Sequence, residues 1–483
     1  MTSRAQTDFG AVELSSVVPP SNTVIAQTDT IVAVSTPPGR SGIGVIRLSG
    51  PGSLSILRQL VASDSFDPQP NLLTLRTLID PVTSERLDQA LVCYFKAPHS
   101  FTGEDVVELH CHGSPILLRA IVDAALRLDA RMADPGEFSL RAVANGRLNL
   151  TEAEAIRDLI DAHTDAALRQ ATRQMKGEIS DRLQPVKDQL LQIIVRLESS
   201  LEFVEDDLPN VVHDNVFASL TSLQSDLEKL AKTFSRGKLL RDGIRVTLIG
   251  RPNVGKSSVF NRLLGRGRAI VTDIPGTTRD TISESIGLDG VPLVLTDTAG
   301  LRTAGDQIES IGVDRTKREA ADSDLLIVVI DGSEPLSDED HSVLSEVAGR
   351  RHIIAVNKRD LPTFSETRID HDSLSFQNFD SVVSISAVTE AGLQDLRSAI
   401  LKPFMNRNGA AEGLLITNAR HYDLLRRTID AIISSADLLK TRASEELILV
   451  GLHDALRYLG EITGETTSDE ILGRIFSTFC IGK

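Results

Sequence analysis

Long apolar runs are missing from this 483-residue chain. Because a membrane-spanning helix needs about 20 consecutive apolar residues, the sequence predicts no membrane span. Cysteine is also scarce, with only Cys93, Cys111 and Cys480 present. Three scattered cysteines cannot form the disulfide framework of a small secreted protein, which favours a reducing compartment.

Basic residues are outnumbered, since 51 Lys and Arg stand against 67 Asp and Glu and give a net charge of −16. This balance disfavours a protein that grips nucleic acid alone, because such binding depends on neutralising phosphates. An RNA substrate would therefore need a local basic patch or a basic partner.

The first 27 residues lack the apolar core of a secretory signal. Arg4 is offset by Asp8 and Glu13, which is untypical of a mitochondrial transit peptide. We expect residues 1–27 to be a disordered tail and the protein to be cytoplasmic. An organelle stays open if the tail is removed on import.

The length suggests about three domains, and the first, residues 28–147, has an α+β pattern. Short apolar runs at 30–35, 44–49, 90–95 and 106–111 indicate strands, and residues 114–128 indicate a helix. A helical texture begins with a predicted capping box, Thr151 to Glu154. It covers residues 148–242 and resumes over residues 405–483.

Strands and helices alternate between these helical stretches, over residues 243–404. The pattern predicts a multidomain α/β and α+β protein, in which a helical domain is interrupted by an inserted Ras-like P-loop G domain.

The inserted segment opens with a β-branched run, "RVTLIG", followed by the spacing Gly250-x-x-x-x-Gly255-Lys256-Ser257. Glycines let the loop curl so that its backbone N–H groups meet phosphate oxygens. Lys256 would reach the β- and γ-phosphates, and Ser257 would bind Mg²⁺. The run predicts a nucleotide-binding P-loop.

Further motifs follow in the order that a GTPase needs. Thr277 and Thr278 in "GTTRD" could bind the metal, and "DTAG" places Asp297 near it and Gly300 near the γ-phosphate. "NKRD" supplies Asp360, which can accept hydrogen bonds from guanine but not from adenine. "SISA" (384–387) would complete the base pocket. These motifs predict GTP rather than ATP.

The hydrolytic residues depart from those of Ras-like switches, where a glutamine after "DTAG" orients water. Leu301 occupies that position here, so Glu309 in "DQIESIG" is the best candidate, although an ordinary exposed glutamate stays open. Arg279 and Arg302 could neutralise charge, and so could a monovalent cation on Asn253. Asn253 could equally be a loop-forming residue.

The flanking segments resemble the MnmE (TrmE) family of tRNA-modifying GTPases. The resemblance rests on "TIVAVSTPPGRSGIGVIRLSG", "HSFTGEDVVELHCHGSP", "DPGEFSLRAVANGRLNLTEAEAIRDLIDA" and the final "FCIGK". It implies modification of carbon 5 of the tRNA wobble uridine together with an FAD-containing partner, MnmG (GidA). A tetrahydrofolate derivative (5-formyl- or 5,10-methylene-) would supply the one-carbon unit. The family also implies homodimers through folate-binding amino-terminal domains, and G domains that dimerise across potassium.

The resemblance assigns roles to individual positions. Potassium would be bound by Asn253, Thr272, Ile274 and Thr277, magnesium by Ser257 and Thr278, and the folate by Arg47, Glu108, Arg147 and Lys483. Catalytic roles fall on Glu309, Lys256 and Cys480. The GTP set comprises Asn253, Val254, Gly255, Lys256, Ser257, Ser258, Thr272, Thr277, Thr278, Asp297, Gly300, Asn357, Lys358, Asp360, Ser386 and Ala387.

Other functions are weighed against this one. An Era-like ribosome-assembly GTPase would carry a basic RNA-binding module after the G domain, whereas residues 412–483 are more acidic than basic. The amino-terminal domain could also be merely a dimerisation module. "HCHG" (110–113) would place its two histidines and its cysteine on opposite faces of a strand, which disfavours a zinc site.

Overall fold

The computed structural model describes residues 29–202, 210–266, 282–297, 323–365, 379–404 and 413–482. The chain divides into two units. Described residues 29–147 and 468–482 make up the amino-terminal unit, and residues within 148–467 make up the second unit. None of the described helices is long and apolar enough to cross a membrane.

The amino-terminal unit contains a sheet with strand order β3-β4-β5-β2-β1-β6. Its strands are β1 (Thr30–Val34), β2 (Ser41–Ser49), β3 (Thr74–Ile79), β4 (Arg86–Phe95), β5 (Val106–Gly113) and β6 (Ala130–Met132). Neighbouring strands are antiparallel except β1 and β6. The four apolar runs predicted as strands lie in β1, β2, β4 and β5.

One face of this sheet packs on α1 (Ser53–Leu60) and α2 (Pro115–Leu126). Alternate strand residues form that core, among them Ile46, Leu48, Leu78, Val92 and Leu109. The other face carries a smaller cluster, in which Phe138 of α3 (Glu137–Ala144) packs on Ile31 and Ala33. The remainder of this second face is available for a polar site.

The last helix, α14 (Asp469–Phe476), belongs to the amino-terminal unit. The assignment of residues 405–483 to the second part of the helical domain stays a prediction, and by its contacts the segment from Ser468 onward groups with the amino-terminal unit. Phe476 and Phe479 are buried, and Gly136 donates its N–H to the carbonyl of Cys480 at 3.4 Å. The apolar side chains of the segment find a core beside α3, which helical periodicity alone could not locate.

The helical part of the second unit comprises α4 (Leu150–Ile160), α5 (Asp165–Met175), α6 (Glu178–Glu202), α7 (Asn210–Ala231) and α8 (Phe234–Asp242). After the G domain, α12 (Ala419–Lys440) and α13 (Glu445–Thr463) return to it. The long helices pack through fully buried leucines, including Leu190, Leu220, Leu425 and Leu452.

The predicted capping box is displaced by two residues. Asn149 caps α4, since its side chain accepts from the N–H of Glu152 at 2.8 Å and the Glu152 carboxylate accepts from the Asn149 N–H. Thr151 donates its hydroxyl to Asn149. Glu154 instead points into the domain, where it contacts Arg420 and His421, so it is unavailable for capping.

The G domain is built on a sheet with strand order β12-β11-β10-β7-β9-β8. Its strands are β7 (Ile244–Ile249), β8 (Ile282–Leu288), β9 (Val291–Asp297), β10 (Leu325–Asp331), β11 (His352–Asn357) and β12 (Phe379–Ser384). All neighbours are parallel except β8 and β9. Helices α9 (Lys256–Arg266), α10 (Asp338–Val347) and α11 (Leu393–Leu401) accompany the sheet, and β10 and β11 are buried throughout.

Candidate functional site

The P-loop lies at the carboxyl end of β7, between that strand and α9. Its glycines are required by conformation and by space. Gly250 has φ 148° and approaches the carbonyl of Val329 so closely that a Cβ would overlap it. Gly255 has φ 97°, and a Cβ there would meet the amide of Asn357. The backbone of the loop therefore forms a cradle, and a side chain at either glycine would not fit there.

Lys256 lies at the centre of this cradle. Its Nζ donates to the carbonyls of Gly250 and Arg251, at 2.8 Å each. The side chain of Val254 is fully buried, whereas Ser257 and Ser258 in the first turn of α9 are exposed. Helix amino termini favour anions, so the loop can hold a phosphate group against the ammonium of Lys256.

Asn253 adopts φ 65°, a left-handed conformation that is unusual for a residue other than glycine. Asparagine tolerates this region because its short polar side chain can compensate locally. A left-handed turn at this position is compatible with both predicted roles, loop former and cation ligand.

The predicted base-recognition residues come together beside the P-loop. Asn357 is buried, donates to the carbonyl of Val254 at 2.8 Å and accepts from the N–H of Ala387 at 3.0 Å. Ser386 donates its hydroxyl to Asp360 at 2.5 Å. Asn357 thus joins the phosphate-binding loop to the segment predicted to bind guanine.

Asp331 has no role among the predicted site residues, yet its carboxylate forms an ion pair with Lys358, one of the predicted GTP-binding residues. Lys358 Nζ lies 2.5 Å from Asp331 Oδ2. Burial opposes ionisation, but hydrogen bonds from Lys358 and Ser333 lower the pKa of Asp331 below its ordinary value. The sequence carries a signal for this residue, because "LLIVVID" is an apolar run that ends in a carboxylate. Parallel strands end at one edge of a sheet, where ligands bind, so Asp331 could be predicted to lie near the site.

Arg251 is a second residue that sequence reasoning missed. Its guanidinium contacts Glu334 at 2.9 Å and the buried carboxylate of Asp340 at 3.1 Å. Asp340 also accepts from Ser337 at the start of α10. These contacts tie the P-loop to α10, and no spacing in the sequence indicates them.

Several predicted residues lie outside the described residues: Thr272, Ile274, Thr277, Thr278, Gly300, Glu309 and Lys483. The same holds for Arg279, Leu301 and Arg302. Asp297 is described through its backbone, as the last residue of β9. The ligand sets predicted for potassium and magnesium are therefore represented among the described side chains by Asn253 and Ser257.

A second site lies on the sheet of the amino-terminal unit. Arg47 on β2 is directly opposite Glu108 on β5. Arg47 donates from Nε and Nη2 to Glu108 Oε1, at 2.9 and 2.7 Å. Both side chains keep some exposure, 20% and 16%. The pair presents a cation and an anion together on the face opposite α1 and α2.

Aromatic rings and the carboxyl-terminal segment border this pair. The rings of Phe101 and Phe138 each lie 5.7 Å from the Arg47 guanidinium carbon. Arg47 also donates to the carbonyl of Gly482 at 3.4 Å. Lys483 follows directly in sequence. Phe138 is fully buried, so Phe101 is the ring that offers an apolar surface beside the charged pair. Such a surface suits a planar heteroaromatic ligand with a polar edge.

Arg147, a third predicted folate ligand, and Cys480, predicted as catalytic, lie at the border of this site. Arg147 donates from Nε to the carbonyl of Ser100 at 3.2 Å, next in sequence to Phe101. Cys480 is exposed and participates through its carbonyl, which accepts from Gly136. Neither side chain has a described hydrogen bond to Arg47 or Glu108.

His110 is an additional member that the sequence reading considered only as a metal ligand. Its Nε2 lies 3.3 Å from Glu108 Oε2. His112 instead contacts Asp88 at 2.7 Å, and Cys111 is buried on the helix-covered face, where burial raises its pKa to about 12. The three side chains of "HCH" therefore have separate surroundings. Strand alternation places His110 beside Glu108.

Comparison with known proteins covers almost all of the chain. A family model described as the MnmE helical domain matches residues 150–480, and one described as the GTP-binding protein TrmE N-terminus matches residues 30–147. A tRNA modification GTPase MnmE from Koribacter versatilis is 43% identical over 458 residues, covering 94% of this chain and 99% of the relative.

Two further proteins of the same name give similar agreement. The one from Heliobacterium modesticaldum is 41% identical and covers 94% of this chain and 99% of its own. The one from Aquifex aeolicus is 39% identical, with 94% and 100% covered.

Proposed function

The chain belongs to the MnmE family of tRNA modification GTPases, and on this premise we propose that its GTP hydrolysis serves the installation of an aminomethyl-type group on carbon 5 of the tRNA wobble uridine. The observation that carries the proposal is the presence of two different sites in one chain. One is a P-loop joined through Asn357 to the residues proposed to recognise guanine. The other is the Arg47–Glu108 pair between aromatic rings.

In the G domain, the backbone of residues 253–258 and Lys256 would hold the phosphates of GTP, and Asp360 with Ser386 and Ala387 would hold guanine. The glycine cradle supports this assignment, because a Cβ at Gly250 or Gly255 would overlap its surroundings. Mg²⁺ would be bound by Ser257 and Thr278 and would neutralise charge on the phosphates. Lys256 would stabilise negative charge that develops during hydrolysis.

We further propose that Glu309 orients the attacking water, since Leu301 has no polar atom for that task. Asn253, Thr272, Ile274 and Thr277 would bind a potassium ion in place of an arginine finger. The left-handed turn at Asn253 supports its part in this set. Replacing K⁺ by Na⁺ should slow hydrolysis by about tenfold or more, the scale of losing one charge-stabilising group.

In the amino-terminal unit, Arg47, Glu108, Arg147 and Lys483 would bind a tetrahydrofolate derivative, which supplies a one-carbon unit when bound. A carboxylate can accept two hydrogen bonds from the amidine-like edge of a pterin, and arginine and lysine suit a glutamate tail. The partly exposed ring of Phe101 would contact the flat heterocycle, whereas the fully buried Phe138 would support Arg47 from below. Cys480 stays our candidate for the modification step, because its segment adjoins Arg47 through Gly482.

The proposed partners are a second copy of this chain, tRNA and an FAD-containing enzyme of the MnmG (GidA) type. Exposed Leu75 on β3 and Leu91 on β4 are directly paired, and their side chains are 52% and 41% exposed. A paired apolar surface of this kind supports association of two amino-terminal units. An acidic chain benefits from a partner that supplies basic surface for RNA.

The test is nucleoside mass spectrometry of bulk tRNA from cells with and without the gene. Loss of 5-substituted wobble uridines, restored by the unmodified gene and by Lys402→Ala but not by Lys256→Ala, is the expected result. Lys402 is an exposed lysine next to α11 and serves as the matched control. Unchanged tRNA with abnormal ribosome profiles would instead support an Era-like ribosome-assembly role, which the family assignment disfavours.

A further inference from the structure

Two segments connect the G domain to the helical part of the second unit. One is α8, which ends at Asp242 just before β7 begins at Ile244. The other returns to the helical part over residues 413–418, just before α12. Both segments pass a helical hairpin formed by α4 and α5, which we call the α4–α5 hairpin (Leu150–Met175).

Helix α8 packs with the G domain on one side. Leu239 and Leu240 lie against the core of the G-domain sheet. Gly243, with φ 73°, ends α8, and a Cβ there would lie 2.6 Å from the carbonyl of Pro292 in β9. Any displacement of the G-domain sheet therefore moves α8 as well, because packed interiors transmit displacement rather than absorb it.

The same helix is bound to α4 on its other side. Arg241 donates from Nε to Asp158 Oδ1 at 2.8 Å. The Asp158 side chain is only 11% exposed, and the pair borders a cavity of about 130 Å³ that Gln170 and Gln174 of α5 also line. This ion pair is a polar contact between the entering connection and the α4–α5 hairpin.

The returning connection is held by α5. Gln170 and Gln174 both donate to the carbonyl of Leu415, at 2.9 and 3.1 Å, and Gln174 also donates to Thr417 at 3.0 Å. Both glutamine side chains are buried. Buried amides that saturate one backbone carbonyl fix the position of the segment. The α4–α5 hairpin thus binds both connections.

The start of α5 also approaches the G domain itself. A Cβ at Gly287 would lie 3.3 Å from Thr164 Cγ2, and one at Gly290 would lie 3.5 Å from the Cβ of Ala166. Gly287 lies in β8, and Gly290 lies in the turn between β8 and β9, so both belong to the β8–β9 hairpin. In sequence, this hairpin separates Thr277 and Thr278, the proposed cation ligands, from Gly300 and Glu309. Gly300 is predicted to lie near the γ-phosphate, and Glu309 is proposed to orient the attacking water.

We infer that the α4–α5 hairpin is the element through which the nucleotide state of the G domain reaches the helical part, with Asp158 and Arg241 as positioning residues of that coupling. This inference rests on the proposed function, because it requires that GTP and GDP give different G-domain conformations. A change at the β8–β9 hairpin would displace the start of α5. The glutamine and ion-pair contacts then pass the displacement to both connections.

The experiment is hydrogen–deuterium exchange of the full chain with GDP and with a non-hydrolysable GTP analogue. In the unmodified protein, α4, α5 and residues 413–418 should differ in protection between the two nucleotides. In Asp158→Asn, this difference should shrink by about threefold or more, the size expected for a residue on a coupling path. Differences within β8 and β9 should persist in the variant, which a general loss of structure would not allow.

Asp158→Asn is a mild substitution. Burial raises the pKa of Asp158 to about 6, although Arg241 acts in the opposite direction. Burial therefore already disfavours the charged carboxylate, and its replacement by the neutral, equally sized asparagine should disturb the fold little. The matched control is Glu465→Gln, which removes the acidic member of the 2.7 Å ion pair with Lys187, away from both connections. It should leave the nucleotide-dependent difference in α4 and α5 unchanged.

Several results would overturn the inference. They are identical protection of α4 and α5 with both nucleotides in the unmodified protein, an undiminished difference in Asp158→Asn, and an equal reduction in Glu465→Gln. The first result is obtained without any variant, so it stands even if Asp158→Asn fails to fold. Failure of the proposed function is separate: it would appear as absent GTP hydrolysis by the same protein preparation, or as unmodified wobble uridines in tRNA from the cells.

Discussion

The two candidate sites are built in opposite ways. The phosphate-binding part of the nucleotide site gathers residues of one P-loop, such as Gly250 and Lys256, within one loop and one helix turn. The Arg47–Glu108 site joins residues 61 positions apart, and its contact with Gly482 joins residues 435 positions apart. The first depends on local backbone conformation, and the second depends on strand register and on where the chain end packs.

This difference decides how each site tolerates change. A P-loop fails when one glycine acquires a side chain or when its lysine is lost. A site on a sheet face fails when register or a distant segment is disturbed, because a one-residue slip moves every side chain to the opposite face. The comparison can be tested by variants that affect one site and spare the other.

The largest expected effect is that of Lys256→Ala. Removing the ammonium that lies in the glycine cradle should lower GTP hydrolysis by about 10²–10³-fold. Phosphate release under single-turnover conditions measures it, with Lys402→Ala as control. Reduced-folate binding by the amino-terminal unit should be unaffected. Wild-type hydrolysis in Lys256→Ala would remove the P-loop from the reaction.

The next largest expected effect concerns the stability of the helical part, at the buried Glu154, and involves neither candidate site. Burial opposes ionisation of Glu154, but His421 and Arg420 outweigh it and lower its pKa to about 2 from an ordinary value of 4.5. Burial also lowers the pKa of His421. Nε2 of His421 lies 2.7 Å from Glu154 Oε2 and 3.0 Å from Arg420 Nη2, and the buried Nδ1 has no hydrogen-bond partner among the described residues.

A carboxylate whose pKa is lower in the folded state stabilises the fold at pH values above its unfolded pKa. This contribution, on the order of 3 kcal/mol, is fully present above about pH 4.5 and is lost as the pH falls toward 2. Glu154→Gln should thus be destabilised at pH 7, and its deficit in denaturant unfolding should narrow between pH 4.5 and 2. The exposed Glu446→Gln should show no such convergence. A stability deficit of Glu154→Gln that stays constant with pH would contradict the lowered pKa of Glu154.

Arg47→Ala tests the site on the sheet. Losing charge-assisted hydrogen bonds that cost roughly 1.5–3 kcal/mol should weaken reduced-folate binding by about 10- to 100-fold in calorimetry. Arg40→Ala is the control, since Arg40 is exposed at the start of the same hairpin strand. Equal affinity of both variants would show that Arg47 does not contact the ligand.

The smallest effect concerns the chain end that borders this site. Gly136 has φ 69°, and a Cβ there would lie 2.6 Å from the carbonyl of Phe476. Gly146 has a similar φ of 66°, but nothing lies within 4 Å of a Cβ there. Gly136→Ala should therefore lower stability by about 1–2 kcal/mol more than Gly146→Ala. Differential scanning calorimetry would measure it, and equal losses would indicate that conformation alone matters.

Sequence reasoning predicted the G domain closely. Its motif spacings predicted the P-loop and the cluster of Asn357, Asp360 and Ser386, and the described geometry brings these residues together. The interrupted helical domain was also readable, because apolar periodicity is a local property. These features depend on residues within a few positions of one another and on the common edge where parallel strands end.

Only the tertiary structure decided the remaining features. Periodicity could not show that the segment from Ser468 joins the amino-terminal unit, because it indicates a helix without indicating its partner. The displaced cap of α4 has the same origin, since Glu154 is drawn into a buried ion cluster. Arg47 and Glu108 meet because β2 and β5 pair in one register. Contacts between distant positions follow from packing, which minimises buried unpaired charge and exposed apolar surface over the whole unit.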